Sequence, residues 1–253
     1  MVERSASADK GKGVGTLSVV ATPIGNLGDV SERARTVLSK ASVVACEDTR
    51  HSRRLLNHCS IQVPLLSFHQ HNEAMRTAQL VERLKAGENV ALVSDAGMPS
   101  VSDPGARLIH ACQREGIPLT VIPGPSAVIT AIVGSGFPSD AFTFGGFLPT
   151  KKGQRLRVLE MALARDHVTV FYESPHRIVT TLAMIAEADS DRLICVAREL
   201  TKKFEEFNRG TAAELSAHYA VRPPKGEISL VIAGTDLPKW FIAPPQSRTD
   251  NEA

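Results

Sequence analysis

The stretch that most constrains the fold covers residues 89–127, where two apolar runs each end in a loop rich in Gly, Pro, Ser and Asp. The runs, at residues 90–93 and 119–122, have the length and composition of buried strands. The segment between them predicts a helix over residues 104–115 with favourable residues at its ends: Ser102 or Asp103 as N-cap, Pro104 in the first turn and Gly116 after the last. This order predicts two parallel strands, and α/β sheets bind ligands at the carboxyl ends of such strands.

The remaining pattern predicts an α/β protein with two domains. In residues 16–136, strands and helices alternate, which predicts a mostly parallel N-terminal sheet. In residues 137–240, several predicted strands follow one another without an intervening helix, which predicts a mixed C-terminal sheet. The polar segments at residues 1–15 and 241–253 are predicted to be mobile tails.

The composition predicts a cytoplasmic protein with no membrane partner. The four cysteines form no CxxC pair, which argues against a disulfide framework or a zinc ribbon and indicates a reducing compartment. No apolar run approaches membrane-spanning length, and the N-terminus lacks the apolar core of a signal peptide. The net charge of +2 permits a nucleic-acid partner without requiring one, because only local clusters of Lys and Arg would form a binding surface.

Three Gly-bearing loops follow three strands of the first predicted sheet: TPIGN, SDAGMPSVSDPG and PGPSA. Gly25, Gly97 and Gly124 would let a ligand approach the main chain closely. Each loop alone is equally well explained as a tight turn, but three loops at one sheet edge predict a small-molecule pocket. None matches GxGxxG or the P-loop signature, which argues against a standard dinucleotide or P-loop nucleotide site.

These loops belong to a longer series of motifs that resembles the tetrapyrrole methylase superfamily. In chain order the motifs are VATPIGNLGDVSERA, VACEDTRHSRRLL, LVSDAGMPSVSDPG, VIPGPSA, FYESPHRI, ARELTKKFEEF and KGEISLVIAG. More narrowly, the series is similar to the superfamily's ribosomal RNA small subunit methyltransferase I branch. The resemblance implies two α/β domains with S-adenosylmethionine in a cleft between them, and a homodimer. It also implies methyl transfer to the ribose 2′-hydroxyl of a cytidine in small-subunit (16S) ribosomal RNA.

The resemblance further implies which residues bind the cofactor. From the first domain they are Pro23, Asp95, Ala96, Gly97, Met98 and Val101, followed by Ser126 and Ala127 of PGPSA. From the second domain they are Glu173 and Leu200. Backbone groups of such loops suit adenosine and the methionine tail, while Met98, Val101 and Leu200 supply apolar contacts. Met98 stands where tetrapyrrole-acting relatives have an acidic residue, which argues against a tetrapyrrole acceptor.

Methylation of a ribose hydroxyl requires a group that accepts the hydroxyl proton or stabilises the oxyanion. Two charged segments, EDTRHSRR and ARELTKKFEE, supply such groups. We expect Glu47 or Glu199 to act as the base, with substrate positioning by Arg50, His51 and Lys202. Each of these charges is also explained, taken alone, as a solvated side chain or a helix-end ion pair.

Several Lys and Arg residues are candidates for contact with RNA phosphates: Arg53, Arg54, Lys151, Lys152, Arg155 and Lys203, with Arg157, Arg222 and Lys225. The aromatic content of 5% does not indicate a broad base-stacking platform. We therefore expect recognition of shape and phosphates on an assembled 30S particle. KKGQRLR is equally well explained as an exposed helix start. FHQHNE either contacts RNA or forms a helix entrance, and no metal site is predicted because further ligands at recognisable spacing are missing.

The sequence leaves two other functions open. The same fold could methylate a tetrapyrrole or another small molecule, or the chain could be a non-catalytic RNA-binding protein with an inactive cofactor pocket. A hydrolase that uses Ser94, Asp95 and a histidine is disfavoured, because no GxSxG elbow surrounds the serine.

Overall fold

The computed structural model describes residues 13–241. Within that range the chain divides into a first domain, residues 13–23 and 27–125, and a second domain, residues 24–26 and 126–241. The two predicted tails lie outside the described residues, apart from residues 13–15 and residue 241.

The first domain alternates strands with helices. Its elements are β1 (Leu17–Val20), α1 (Glu32–Ser39), β2 (Val43–Cys46), α2 (Thr49–His58), β3 (Leu65–Ser67), α3 (Glu73–Lys85), β4 (Val90–Leu92), α4 (Ala106–Arg114) and β5 (Leu119–Ile122). The strands form one sheet in the order β3-β2-β4-β1-β5, and every pair is parallel. The predicted parallel sheet is confirmed.

Helices cover both faces of this sheet, because side chains of successive strand residues point to opposite sides. Leu17 and Val19 of β1 pack with apolar residues of α3 and α4. Val20 packs instead with residues of α1 and α2. The central strands are therefore buried on both faces, which explains their nearly continuous apolar sequence, interrupted in β1 by the buried Ser18.

The second domain begins with a helix and contains a mixed sheet. Its elements are α5 (Ala127–Ser135), β6 (Phe142–Phe147), α6 (Lys152–Leu163), β7 (Val168–Glu173), α7 (Ile178–Ala188), β8 (Leu193–Arg198), β9 (Glu206–Thr211), α8 (Ala212–Val221) and β10 (Ile228–Ile232). The strand order is β6-β7-β10-β8-β9, with β6 and β7 parallel and the other pairs antiparallel. The predicted mixed sheet is confirmed.

Helix α5 belongs to the second domain, although the sequence places the domain boundary after it, at residue 136. The structure divides the chain after Pro125. The reason is that α5 buries Val128, Ala131 and Ile132 against the second sheet, on the face that also receives Ile24. Helices α6, α7 and α8 cover the opposite face.

Helix starts were predicted less well than strands. Helix α1 is capped by Ser31, whose Oγ accepts the Ala34 N–H. Helix α4 begins at Ala106 after Gly105, whose φ of 143° interrupts the helix predicted from Pro104. Helix α8 begins with a capping box formed by Thr211 and Glu214.

Two helical glycines provide a matched test of this packing. A Cβ at Gly134 of α5 would lie 2.0 Å from the Phe207 ring, whereas a Cβ at Gly153 of α6 would meet nothing within 4 Å. We expect Gly134→Ala to destabilise the protein by about 1–3 kcal/mol through overpacking. Gly153→Ala should stabilise it by up to about 1 kcal/mol through helix propensity. Urea unfolding measures both, and equal effects of the two substitutions would contradict the packing.

Candidate functional site

The topology of the first sheet marks the carboxyl end of β4 as a place for a ligand. Strand β4 lies between β1 and β2. The chain leaves β4 toward α4 on one face, whereas it leaves β1 and β2 toward α1 and α2 on the other. Such a reversal opens a crevice at the carboxyl ends of the strands, where open α/β sheets bind ligands. The loop after β4, which contains SDAGMPSVSDPG, lies at this edge.

Hydrogen bonds join the loop after β4 to the loop after β1. Thr22 and Gly97 form an isolated antiparallel bridge, with N–H to O distances of 2.9 and 3.1 Å. The Thr22 hydroxyl also donates to the Ser94 carbonyl at 3.1 Å, and the Ser94 hydroxyl donates to the Gly97 carbonyl at 3.2 Å. Gly97 has a φ of 78°, which glycine adopts without strain.

The rest of the β4 loop has an unusual backbone. Ser100 and Ser102 have φ values of 70° and 69°, a region that costs a non-glycine residue about 1–3 kcal/mol. The loop is held at its end by Glu73 of α3, whose Oε1 accepts the Gly105 N–H at 3.0 Å. It presents an exposed Ala96 beside a half-buried Met98, and Val101 is 45% exposed.

The structure brings several carboxylates together at this edge. Asp95 accepts the backbone N–H of Asp48 at 3.1 Å. Asp103 is half-buried, and burial, followed by the charges of Glu47 and Asp95, raises its pKa to about 6. Glu47 is exposed and directly precedes Asp48. Sequence reasoning missed Asp103 as a site residue, although the second Ser-Asp pair of the loop is visible in the sequence.

The positions of the predicted catalytic residues Arg50 and His51 follow from the cap of α2. Asp48 is the N-cap and accepts the Arg50 N–H at 2.7 Å. The Arg50 guanidinium also binds this carboxylate, at 2.8 Å, and holds the pKa of Asp48 far below its usual range. Arg50 is 89% exposed at its side chain and His51 is exposed, so both remain accessible to a substrate.

The predicted RNA contacts on α2 differ in their accessibility. Arg54 is exposed. Arg53 is half-buried and donates to the Val63 carbonyl at 3.4 Å.

The FHQHNE segment forms a turn before α3. The Asn72 side chain accepts the His69 N–H at 2.9 Å and donates to the Ser67 carbonyl at 3.2 Å. These contacts favour the helix-entrance interpretation over contact with RNA.

The PGPSA loop ends the first domain and begins α5. Its Gly124 lies so close to β1 that an added Cβ would be 2.9 Å from the Ala21 Cβ. Ser126 is the N-cap of α5, with its Oγ accepting the Ile129 N–H at 3.4 Å. Ser126 and Ala127 are both half-buried.

The carboxylate of Glu173 is bound within the second domain. It accepts the Ser174 N–H and the Thr181 hydroxyl, each at 2.7 Å, and forms an ion pair with Arg177 at 2.6 Å. Its side chain is fully buried. The predicted role of Glu173 toward the cofactor can therefore involve only its main chain.

Arg155 requires a correction, because its guanidinium is not available to RNA. The side chain is 7% exposed and faces Glu173, with 3.9 Å between the charged atoms. The KKGQRLR segment does begin α6, and Arg155 is its inward-facing member. Lys151, Lys152 and Arg157 are exposed and remain candidates for RNA phosphates.

In ARELTKK the charges are largely paired with one another. Glu199 accepts the Glu227 N–H at 3.0 Å and binds Lys202 at 2.9 Å, and these contacts lower its pKa. Burial disfavours the charged form of Lys202, but its bonds to Glu199 and Glu227 outweigh this effect and raise its pKa. Leu200 is 6% exposed within the core that contains Ile24. A carboxylate stabilised in its ionised form is a weak base, which favours Glu47 over Glu199.

Comparison with known proteins decides the family. The model of the tetrapyrrole (corrin/porphyrin) methylases matches residues 16–216. The chain belongs to the tetrapyrrole methylase family. A relative from Synechocystis named ribosomal RNA small subunit methyltransferase I is 46% identical over 87% of this chain and 80% of its own. A relative of the same name from Thermotoga maritima is 45% identical over 88% of this chain and 100% of its own.

Solved structures of tetrapyrrole methylases share the fold. A uroporphyrin-III-C-methyltransferase from Thermus thermophilus superimposes with a TM-score of 0.61 at 21% identity, covering 89% of this chain and all of its own. A cobalt precorrin-4 methyltransferase gives a TM-score of 0.65 at 16% identity, covering 86% of this chain and 94% of its own.

The edge of the first sheet at the carboxyl end of β4 fits S-adenosylmethionine, the cofactor on which this methylase family depends. The exposed Ala96 and Gly124 leave main-chain groups accessible to the polar parts of the cofactor. Met98 and Val101 provide apolar surface beside them.

In the described part of the chain, no group of three or more His, Cys, Asp or Glu side chains is arranged to hold a metal ion. Within the same residues, no helix has the length and apolar character of a membrane span.

The raised pKa of Asp103 has a consequence for stability. Its pKa is about 6 in the folded protein against 3.8 ordinarily. The folded state therefore binds more protons between about pH 4 and pH 6, so stability falls as the pH rises through this window. We expect Asp103→Asn to remove this loss of stability. At pH 8 the free energy of unfolding of the variant should exceed that of the wild type by about 1 kcal/mol, allowing for solvent screening. Urea unfolding from pH 4.5 to pH 8 tests this, and a stability difference that does not grow with pH would contradict it.

Proposed function

We propose that this protein uses S-adenosylmethionine to methylate the ribose 2′-hydroxyl of a cytidine in small-subunit ribosomal RNA. The observation that carries the proposal is the 45–46% identity, over most of both chains, to relatives named ribosomal RNA small subunit methyltransferase I. Met98 supports an RNA acceptor over a tetrapyrrole, since an acidic residue is expected at this position in tetrapyrrole-acting relatives.

Residues of the first domain hold the donor in this proposal. They are Pro23, Asp95, Ala96, Gly97, Met98 and Val101. The second domain adds Ser126, Ala127, Leu200 and the main chain of Glu173. When bound, S-adenosylmethionine supplies a methyl group on a positively charged sulfur, and transfer is an in-line displacement. Much of the catalysis can therefore come from rigid positioning, which the Thr22 and Gly97 bridge supports.

Glu47 is the proposed base for the ribose hydroxyl. It is exposed, whereas Asp95 and Asp48 are occupied by hydrogen bonds. Its carboxylate would accept the proton that the 2′-oxygen loses as the new bond to carbon forms. Arg50 and His51, which follow Glu47 by three and four residues, would bind the neighbouring phosphate or stabilise the developing oxyanion.

RNA phosphates would be bound by cations of both domains: the half-buried Arg53 and the exposed Arg54 on α2, and the exposed Lys151, Lys152 and Lys203 in the second domain. We further propose that the substrate is the assembled 30S particle and that the protein acts as a homodimer in the cytoplasm. The four cysteines are all free and buried, which supports a reducing compartment.

The direct test supplies purified protein with methyl-labelled S-adenosylmethionine and small subunits from cells that lack this protein. Nuclease digestion should then yield labelled 2′-O-methylcytidine. Label on a base, or no transfer to either free or assembled ribosomal RNA, would overturn the proposal.

The base assignment predicts the effect of Glu47→Gln, which keeps the shape of the side chain and removes its basicity. We expect kcat to fall by about 10²- to 10⁴-fold, with S-adenosylmethionine affinity and melting temperature unchanged. Glu199→Gln is the control, and it should mainly lower the melting temperature because its contacts to Lys202 and Glu227 weaken. A Glu47→Gln enzyme that retains a tenth of the wild-type kcat would exclude Glu47 as the base.

The RNA surface is tested by two exposed arginines on opposite faces of the first domain, Arg54 on α2 and Arg107 on α4. Each phosphate contact contributes about 0.7–0.9 to the slope of log K against log salt. Arg54→Ala should reduce that slope by this amount in filter-binding titrations with small subunits, and Arg107→Ala should leave it unchanged. Equal slopes of log K against log salt for both variants would show that Arg54 of α2 does not contact the RNA.

A further inference from the structure

The loop between β8 and β9, residues 199–205, is held in one conformation by its own contacts. Lys202 Nζ binds Glu199 at 2.9 Å and Glu227 at 3.0 Å. The Thr201 N–H donates to the Glu205 carboxylate at 2.6 Å. Glu199 and Thr201 have φ values of 51° and 64°, which are unfavourable for residues with a Cβ. The loop is therefore rigid at an energetic cost, a pattern typical of functional segments.

Two glycines allow this loop to pack tightly. A Cβ at Gly25 would lie 2.5 Å from Lys202 Cγ and 2.8 Å from the Leu200 carbonyl oxygen. A Cβ at Gly226 would lie 2.4 Å from the Glu199 carboxyl. Gly25 is two residues after Pro23, which we propose to border the cofactor. The loop is thus fixed against Gly25, which belongs to the same domain.

The loop presents one aromatic side chain to solvent. Phe204 is 63% exposed, and Lys203 Nζ lies 5.6 Å from the centre of its ring. The other basic side chains of this region are paired with carboxylates: Arg198 with Glu206, and Lys202 with Glu199 and Glu227. In the described chain, Lys203 has no carboxylate within ion-pair distance. Its charge is available to an external anion.

An exposed Phe beside a lysine favours one class of partner. A protein interface buries about 800 Å² on each side, and a single ring among charged residues provides far less apolar area. Single-stranded nucleic acid is bound instead by aromatic rings that stack on bases and by cations that contact the phosphates. One such ring is compatible with the low aromatic content of the chain.

We propose that Phe204 stacks on an unpaired base of the ribosomal RNA substrate while Lys203 binds an adjacent phosphate. This inference rests on the proposed function. It adds a base contact to a surface that is otherwise expected to bind phosphates, and it places that contact on a loop packed against Gly25. Phe204 is a positioning residue here, because it would hold the RNA without touching the reacting atoms.

The test compares Phe204→Ala, Phe204→Tyr and the control Phe147→Ala. Phe147 is 62% exposed on strand β6 and is therefore matched in exposure. Loss of one stacked base weakens binding by about 5- to 150-fold. We expect Phe204→Ala to raise the KM for undermethylated small subunits within this range, with unchanged S-adenosylmethionine affinity, melting temperature and oligomeric state. Phe204→Tyr should restore the wild-type KM, and Phe147→Ala should match the wild type.

Several outcomes would overturn the inference while the wild type still methylates ribosomal RNA. They are a wild-type KM for Phe204→Ala, failure of tyrosine to restore it, an equal loss for Phe147→Ala, or a change in oligomeric state. If the wild type binds S-adenosylmethionine but transfers no methyl group to ribosomal RNA, the proposed function itself fails. Lys203→Ala adds an independent readout, because it should lower the salt slope of binding by about 0.7 whereas Phe204→Ala should not.

Discussion

All strands of the first domain are parallel, and the proposed donor site depends on this constraint. Parallel neighbours require a crossover after each strand, so every strand ends at the same edge of the sheet. The helices after β1 and β4 lie on opposite faces, which is the topology at which open α/β sheets bind ligands. The bridge between Thr22 and Gly97 then fixes both loops relative to one another. Donor binding therefore requires little reorganisation of this edge.

The second domain uses its charges differently. Glu173 is surrounded by Thr181, Arg155 and Arg177 inside the domain, and removing Glu173 would leave Arg155 as an uncompensated buried charge. The ion pairs of Glu199 and Lys202 likewise hold a loop in place. The side chains of Glu173, Arg155, Glu199 and Lys202, which the sequence suggests as contacts of the cofactor or the RNA, stabilise the fold of the second domain instead. The residues they leave exposed are the ones suited to contact RNA.

The apolar runs and the Gly- and Pro-rich segments that follow them predicted both sheets and the loops at their edges, because buried parallel strands have a strong apolar signature. Helix starts were less predictable, since Gly105 is held by Glu73, which is distant in sequence. Burial of Arg155 could not be predicted either, because a lysine- and arginine-rich segment reads as exposed until its packing is known. The raised pKa of Asp103 depends on burial and on the approach of Glu47, which lies on the loop after β2, and no local pattern encodes either.

The central claim is that the loops after β4 and β5 hold the methyl donor, while α2 handles the acceptor. Hydrogen–deuterium exchange of the protein with and without S-adenosylmethionine tests it directly. We expect slower amide exchange in peptides that cover residues 94–101 and 124–127, with exchange in α2 unchanged. Protection confined to α2, or no protection of the β4 loop at saturating cofactor, would contradict it.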